Sequence, residues 1–380
     1  MSTKINVLQV IPKLGYGGAE TGCYDIAHYL SENDCGSFIA TSGGGLLKFV
    51  KKDKVKVFRL PVHSKNPFLI IFNSLMLSLY IIIFKINIVH ARSRAPAWSA
   101  YLATKLANVK FVTTFHGTYN FKSKLKKFYN SIMVKSDHVI AGSEFILNHI
   151  HTNYQVKAKS SVVKRGIDEK YFSKKNVTEE EIKKLKGLMK INGEKFIILL
   201  PGRLTYWKGQ KLFIEALNIL NNQNLLENVY SLIIGGHQGR IQYKEELMQL
   251  VKKYNLENKL KIAHGLNKMP VAYSISNLIL SSSIEPEAFG RISVEAQSME
   301  KPVLASDIGG SLETVINNKT GWLFKNNDSV DLAGKIKMIM KTEQNVLDLI
   351  GRQGRKNVKE NYTRELMVSR TLEIYKSLVY

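Results

Sequence analysis

Ser281-Ser282-Ser283-Ile284-Glu285-Pro286-Glu287-Ala288-Phe289-Gly290-Arg291-Ile292-Ser293-Val294-Glu295-Ala296-Gln297 reads as one strand–loop–helix unit carrying two acids at a fixed interval. The apolar run Leu278-Ile279-Leu280 before it has the character of a buried parallel strand. A polar, proline-containing loop follows. A helix then begins near Gly290 and stops before Lys301-Pro302, where Val303-Leu304-Ala305 opens the next strand. In such a unit the helix start turns its N–H groups and positive dipole end toward the carboxyl edge of the sheet. Open α/β sheets bind their ligands at that edge. Glu287 belongs to the loop, and Glu295 follows about two helical turns later.

The same alternation runs outward in both directions. Candidate strands at Ile5–Ile11, Ser37–Thr41, Lys56–Leu60, Ile86–His90, Lys110–Phe115, Asp137–Ala141 and Ser161–Val163 make one series. Lys195–Leu200, Val229–Gly235, Lys259–Ala263, Asn277–Ser281, Pro302–Ser306 and Gly321–Phe324 make a second. Strands alternating with helical segments imply parallel sheets covered on both faces. The pattern pauses at Arg165-Gly166-Ile167-Asp168-Glu169-Lys170-Tyr171-Phe172, before a charged helical run from Thr178 to Lys190. The expected layout is therefore two doubly wound domains facing each other across a cleft. Residues 1–167 form the first and 168–363 the second, and a helix over 364–380 crosses back to the first. A length of 380 residues suits two domains.

Composition narrows the class. The hydrophobic fraction of 44% is that of a soluble globular protein. The two cysteines, Cys23 and Cys35, form neither a disulfide framework nor a metal-ligand pattern. Met1 to Lys4 is polar and Ile5–Ile11 is a core strand, so no leader peptide is expected and a cytoplasmic setting is. The 17 residues from Phe68 to Phe84 are almost wholly apolar, but Asn73, Ser74 and Ser78 interrupt them and a spanning helix needs about 20. The reading preferred is a buried crossover helix. The net charge is +24, and residues 1–170 carry 24 Lys/Arg against 9 Asp/Glu. Part of that excess reflects a lysine-rich composition. The sharper reading is an anionic partner for the first half, where Lys122-Ser123-Lys124-Leu125-Lys126-Lys127-Phe128-Tyr129 sets cations beside aromatics. A peripheral position on the cytoplasmic face of an anionic membrane is preferred over nucleic acid, for which no motif is present.

Three further loops lie where strands end. Pro12-Lys13-Leu14-Gly15-Tyr16-Gly17-Gly18-Ala19-Glu20 is a glycine turn between strand and helix, suited to an anion but without dinucleotide-binding spacing. Leu200-Pro201-Gly202-Arg203-Leu204-Thr205-Tyr206-Trp207-Lys208-Gly209 projects a guanidinium and an ammonium from one loop, either two solvated charges or a pair able to neutralise a diphosphate without metal. Phe115-His116-Gly117-Thr118 ends a strand of the first domain, with His116 either structural or catalytic. No Asp-x-Asp, no metal-spaced His/Cys cluster, no G-x-S-x-G and no P-loop occurs, so metal-dependent, hydrolase and kinase readings lack support.

Taken in order, these segments resemble glycosyltransferase family 4, retaining nucleotide-sugar transferases of the GT-B fold. Val89-His90-Ala91-Arg92-Ser93-Arg94, Gly309-Gly310 with Glu313, and Thr320-Gly321-Trp322-Leu323 complete the resemblance. The wording around Pro286-Glu287-Ala288-Phe289-Gly290-Arg291 is similar to lipopolysaccharide-type transferases of bacteria. The resemblance implies that Arg203 and Lys208 hold the donor diphosphate and stabilise charge on the leaving group. It implies Glu295 on the ribose, Glu287 near the donor sugar, and the N–H groups of Phe289, Gly290 and Arg291 on phosphate or sugar oxygens. Gly17 and Gly18 would close over the donor, and His116 would touch the donor sugar or support the transition state. Arg92 and Arg94 stand where the family often has His-x-His; they are either acceptor contacts or surface charges. No cofactor is implied beyond the nucleotide-diphosphate sugar, and the acceptor would be a glycan or glycolipid in cell-surface polysaccharide synthesis. Rival readings are a sugar-nucleotide epimerase of the same fold and a non-catalytic, membrane-associated binding protein. The charge placement leads to the expectation that Lys208→Ala cuts turnover with the fold intact.

Overall fold

The computed structural model describes residues 4–119 and 123–380; Lys122 of the cationic run lies outside the described residues. The chain divides into two compact units, one of residues 1–165 with Arg364–Tyr380 and one of Gly166–Thr363.

Unit 1 holds a seven-stranded sheet of β1 (Asn6–Ile11), β2 (Gly36–Thr41), β3 (Lys56–Arg59), β4 (Ile88–Ala91), β5 (Lys110–Phe115), β6 (His138–Ala141) and β7 (Lys159–Val162). Their spatial order is β3-β2-β1-β4-β5-β6-β7, and every pairing is parallel. The helices of this half are α1 (Gly18–Glu32), α2 (Pro67–Ile83), α3 (Arg94–Ala107), α4 (Lys124–Ser131) and α5 (Glu144–Asn153). The direction of winding reverses between β1 and β4. Such a switch point opens a crevice at the carboxyl ends of the two strands.

Unit 2 begins with α6 (Glu179–Met189), started by a capping box in which Thr178 and Glu181 satisfy each other's backbone N–H groups. Its six-stranded sheet has β8 (Phe196–Pro201), β9 (Val229–Ile234), β10 (Leu260–Ala263), β11 (Leu278–Ser281), β12 (Val303–Ser306) and β13 (Trp322–Phe324). The order is β10-β9-β8-β11-β12-β13, again all parallel. The helices are α7 (Gln210–Asn222), α8 (Ile241–Lys253), α9 (Met269–Ile275), α10 (Arg291–Ser298) and α11 (Ser311–Thr314), then α12 (Ser329–Met340) and α13 (Gln344–Asn361). The switch point falls between β8 and β11. The strand–loop–helix unit read from the sequence follows β11, on one side of that point.

Both sheets owe their form to composition. Val7, Leu8, Ile88, Val89, Ile198, Leu199, Ile279 and Leu280 are fully buried, as strands covered on both faces must be. The final helix, α14 (Arg364–Val379), belongs to unit 1, where it packs against α1. Its Tyr375 is wholly buried, and the hydroxyl lies 2.5 Å from Nδ1 of His90 on β4. Thr114 of β5 bonds the other ring nitrogen at 2.7 Å.

One expectation needs correction. The segment from Phe68 is a crossover helix between β3 and β4, but it is not buried. Only Asn73, Ser74, Leu77 and Ile81 are enclosed, while Phe68, Ile71, Leu75, Leu79 and Ile82 stand in solvent. A helix layered on an open sheet covers itself along one stripe only. Here the outer side is apolar as well, and that second stripe meets no protein among the described residues.

His90 is held neutral: burial pushes its pKa well below the ordinary histidine value, and the Arg92 charge adds to the effect. In the unfolded chain the ring protonates near its ordinary value. Below about pH 6.5 the unfolded state therefore binds more protons, and stability falls as pH falls. We expect His90→Asn, measured by urea unfolding between pH 6.5 and 5.5, to flatten that slope by about 1 kcal/mol per pH unit. An unchanged slope would show that His90 is protonated in the fold.

Candidate active site

The site on unit 2 grows from the two strands that flank its switch point. β8 ends at Pro201, and the chain turns through Gly202 at φ +146°, a conformation that side chains rarely adopt. Arg203 follows, exposed, with Nη1 3.5 Å from Oε1 of Gln238. Its carbonyl accepts a 2.8 Å bond from Gln210, whose side chain is fixed in turn by Tyr243. A short 3-10 turn over Tyr206–Lys208 sends Lys208 inward, and Gly209 at φ +70° releases the chain into α7. A Cβ on Gly209 would lie 1.8 Å from the carbonyl oxygen of Ser282, so no other residue fits.

The acid loop lies directly against this turn. Ser282 Oγ donates to the carbonyls of Lys208 and Gly209, and Ile284 N–H donates to Trp207 O at 2.8 Å. Lys208 is 8% exposed, and its Nζ donates to Oε1 of Glu287 at 2.7 Å. Ser283 donates to the same carboxylate oxygen. Lys208 also lies 4.5 Å from the Trp207 ring centroid, a cation–π contact. The structure thus brings Lys208 and Glu287, predicted separately, into one largely buried pair, while Arg203 points to Gln238.

Behind Glu287 the loop is braced by glycines. Gly310 N–H donates to the Glu287 carbonyl at 2.7 Å, and a Cβ on Gly309 would sit 2.7 Å from that oxygen. Gly290, at φ +79°, starts α10. The N–H groups of Phe289 and Gly290 find no acceptor among the described hydrogen bonds. The Phe289 ring packs on Tyr362. Glu295 sits one helical face further on. It accepts from Tyr273 at 2.7 Å and from Nε of Arg291 at 2.6 Å. Burial, reinforced by the Glu295 charge, raises the Tyr273 pKa well above its ordinary value, so the phenol stays a donor. His264, just past the end of β10, lies edge-on to His237 with centroids 6.5 Å apart.

In unit 1 the loops after β1, β4, β5 and β7 meet at the carboxyl edge of the first sheet. Gly18, Arg92, His116 and Arg165 line a cavity of about 20 Å³, room for one water. Gly17 caps α1, and a Cβ on Gly18 would strike the Arg165 guanidinium at 2.5 Å. Arg92 is no surface charge: it is 4% exposed and donates to Gln9 at 3.1 Å, with Nε unbonded. Arg94 donates to Asn130 at 3.0 Å and stacks on Tyr119 at 4.3 Å.

Sequence reasoning gave Arg165 no role, although it stands two positions beyond the strand-ending Val163. Its Nη2 lies 2.6 Å from Nδ1 of His116. A guanidinium can only donate. Nδ1 therefore carries the lone pair, and the imidazole proton sits on Nε2. Among the described residues that atom is buried without a partner, so it presents an unused donor. Burial holds His116 well below the ordinary histidine pKa, with Arg165 and Arg92 pushing the same way.

Two tests follow from this geometry. Lys208→Ala would leave the largely buried Glu287 without its counter-charge, so a cost in stability is expected where charge placement alone suggested an intact fold. We expect a loss of about 3–5 kcal/mol in urea unfolding, largely recovered by Lys208→Met combined with Glu287→Gln. A double variant as unstable as the single one would contradict the pairing. For unit 1, Arg165→Met should raise the His116 pKa toward its ordinary value in histidine NMR titrations, and an unmoved titration would break the link.

Comparison with known proteins gives this arrangement its setting. Residues 16–171 match the model of Glycosyltransferase Family 4, and residues 181–361 match that of Glycosyl transferases group 1. A glycosyltransferase from Rickettsia africae ESF-5 is 38% identical, with 99% of each chain covered and a TM-score of 0.91. The UDP-Gal:alpha-D-GlcNAc-diphosphoundecaprenol alpha-1,3-galactosyltransferase of Escherichia coli is 24% identical over 360 residues, 90% of this chain and 89% of its own. Anabaena Alr3699/HepE, solved with UDP and glucose, shares the fold at a TM-score of 0.83 and 22% identity, over 98% of this chain and 100% of its own. With both halves matched, in the order in which the two sheets occur, the chain belongs to glycosyltransferase family 4.

Proposed function

We propose that this glycosyltransferase moves a hexosyl group from a UDP-sugar to a glycan or lipid-linked acceptor, with retention of anomeric configuration, in cell-surface polysaccharide or lipopolysaccharide assembly. The observation that carries the reading is the buried Lys208–Glu287 pair beside Arg203, at the carboxyl ends of β8 and β11. Glu287 holds the ammonium in the turn, where it meets a diphosphate together with Arg203. As the sugar–phosphate bond breaks, negative charge grows on the leaving oxygen, and preorganised cations there lower the barrier. The N–H groups of Phe289, Gly290 and Arg291 meet phosphate or sugar oxygens from the start of α10.

Glu295, oriented by Tyr273 and Arg291, accepts from the ribose hydroxyls. Glu287 is not a nucleophile in this reading; Lys208 and Ser283 both bind its Oε1, which suits a positioning role. Retention instead follows from attack on the face that the nucleotide leaves, with a phosphate oxygen taking the acceptor proton. Positive charge comes from Arg203 and Lys208, so the reading requires neither metal nor cofactor. Among the described residues no three His, Cys, Asp or Glu side chains group so as to hold a metal ion. Gly17, Gly18 and His116 supply contacts from unit 1, His116 donating through Nε2, and Arg92 and Arg94 belong to the acceptor side. The UDP and glucose of the Anabaena protein and the lipid-linked acceptor named for the Escherichia coli enzyme favour these substrate classes.

A thermal-shift series over nucleotide sugars tests the donor. A donor at one hundred times its Kd stabilises the chain by about 2.7 kcal/mol, and UDP-sugars should lead the series. NMR of the product made from the best donor should report the donor's own anomeric configuration. No shift with any nucleotide sugar, or an inverted product, would overturn the reading.

A further inference from the structure

Helix α2 is amphipathic in the wrong sense for a soluble protein. Its polar side chains face inward: Asn73 Nδ2 donates to the Pro61 carbonyl, and Ser78 Oγ reaches the Ala103 carbonyl of the adjacent α3. Its outward stripe is Phe68, Ile71, Leu75, Leu79 and Ile82, spaced by three or four residues and between 47% and 81% exposed. Leu102 and Leu106 on α3 extend it, as do Leu125 and Phe128 on α4, which joins the layer where Phe128 packs on Trp98. Apolar surface of this extent and continuity marks an interaction site.

The charge around it is one-signed. From Lys54 to Ser136 the sequence contains 14 Lys/Arg and no Asp or Glu. Lys65 and Lys85 stand just before and after α2, and Lys105 lies on α3. Lys124, Lys126 and Lys127 of α4 are exposed, and Lys65 lies 5.6 Å from the ring centroid of Tyr129 on that helix. At 17 residues α2 is about 25 Å long. No helix among the described residues is long and apolar enough to cross a membrane.

We propose that the outer face of α2 lies in the interfacial layer of an anionic bilayer, with its apolar stripe among the acyl chains and its lysines on the headgroups. An apolar stripe flanked by lysines is the arrangement an anionic lipid surface selects. A second copy of the chain does not fit as the occupant, because a two-fold contact would bring the lysine rims of both copies together. Nucleic acid does not fit either, since the centre of the face offers it neither charge nor hydrogen bonds. The sequence suggested a charged patch alone; the exposed stripe adds the apolar anchor. This inference does not rest on the donor chemistry.

The full chain is tested by co-sedimentation with vesicles of phosphatidylcholine, or of phosphatidylcholine mixed equally with phosphatidylglycerol. We expect partition onto the mixed vesicles at least about tenfold above the neutral ones, falling with salt. Leu75→Asp with Leu79→Asp, and separately Lys124→Glu with Lys127→Glu, should each lower it by about tenfold or more at unchanged melting temperature and unchanged donor hydrolysis. Leu75→Trp keeps the stripe apolar and should be quenched by brominated acyl chains. Equal partition onto both vesicle types, a double-Asp variant that binds like the parent, or an unquenched Trp would each overturn the proposal. So would light scattering that finds a dimer which the double-Asp variant dissolves, since the face would then belong to self-association.

Discussion

Placing an ammonium and a carboxylate together out of water is costly unless each satisfies the other. Lys208 and Glu287 meet that condition at 2.7 Å, with Ser283 as a second donor to the acid. Much of unit 2 near its switch point is arranged around that pair. Lys208 points inward because a 3-10 turn and Gly209 bend the chain after β8. Glu287 can approach because Ser282 and Ile284 tie the acid loop to the same turn. The glycines at 309 and 310 then allow β12 and its following loop to close against the backbone of Glu287. The pair therefore sets both the shape of the turn and the position of its positive charge.

Unit 1 solves a related problem by other means. At its carboxyl edge three guanidinium groups bond neutral side chains. Arg92 is held by the Gln9 amide, Arg94 by Asn130 and a tyrosine face, and Arg165 by the His116 ring. His116, bonded through Nδ1, keeps a buried Nε2–H without an acceptor among the described residues. Two sheets of like topology thus present different chemistry at their carboxyl ends, a lysine paired with a carboxylate in one and guanidinium groups bonded to neutral side chains in the other.

The parallel layering was legible because buried strands leave continuous apolar runs, and the loops that matter follow those runs directly. Gly17, Arg92, His116, Lys208 and Glu287 all stand within a few residues of a strand end. What could not be read was which side chains meet. The eight-residue interval between Glu287 and Glu295 reports helical phase, whereas the partner of Glu287 comes from a loop 79 residues away. Arg165 was passed over because it looks like the start of a linker, and only the sheet order brings β7 to the edge that β5 shares. The apolar run of α2 misled for a different reason. Composition says how much of a helix avoids water, but not whether the fold supplies a second surface to cover it.

The bond between His90 and Tyr375 ties a residue of β4 to a helix that arrives only after all of unit 2 has been made. Unit 1 is thus interrupted in sequence, while unit 2 is continuous. Where the chain leaves unit 1 and where it returns, Ile167 and Thr363 lie side by side as a parallel bridge, and Ile167 N–H donates to the Tyr362 carbonyl. On a ribosome, unit 2 has every residue it needs while unit 1 still lacks α14, with one buried face of α1 uncovered and His90 missing its phenol. Order of synthesis and order of completion are therefore reversed. The first sheet to emerge is the last to be closed, and until then its unfinished face is open to chaperones and to aggregation.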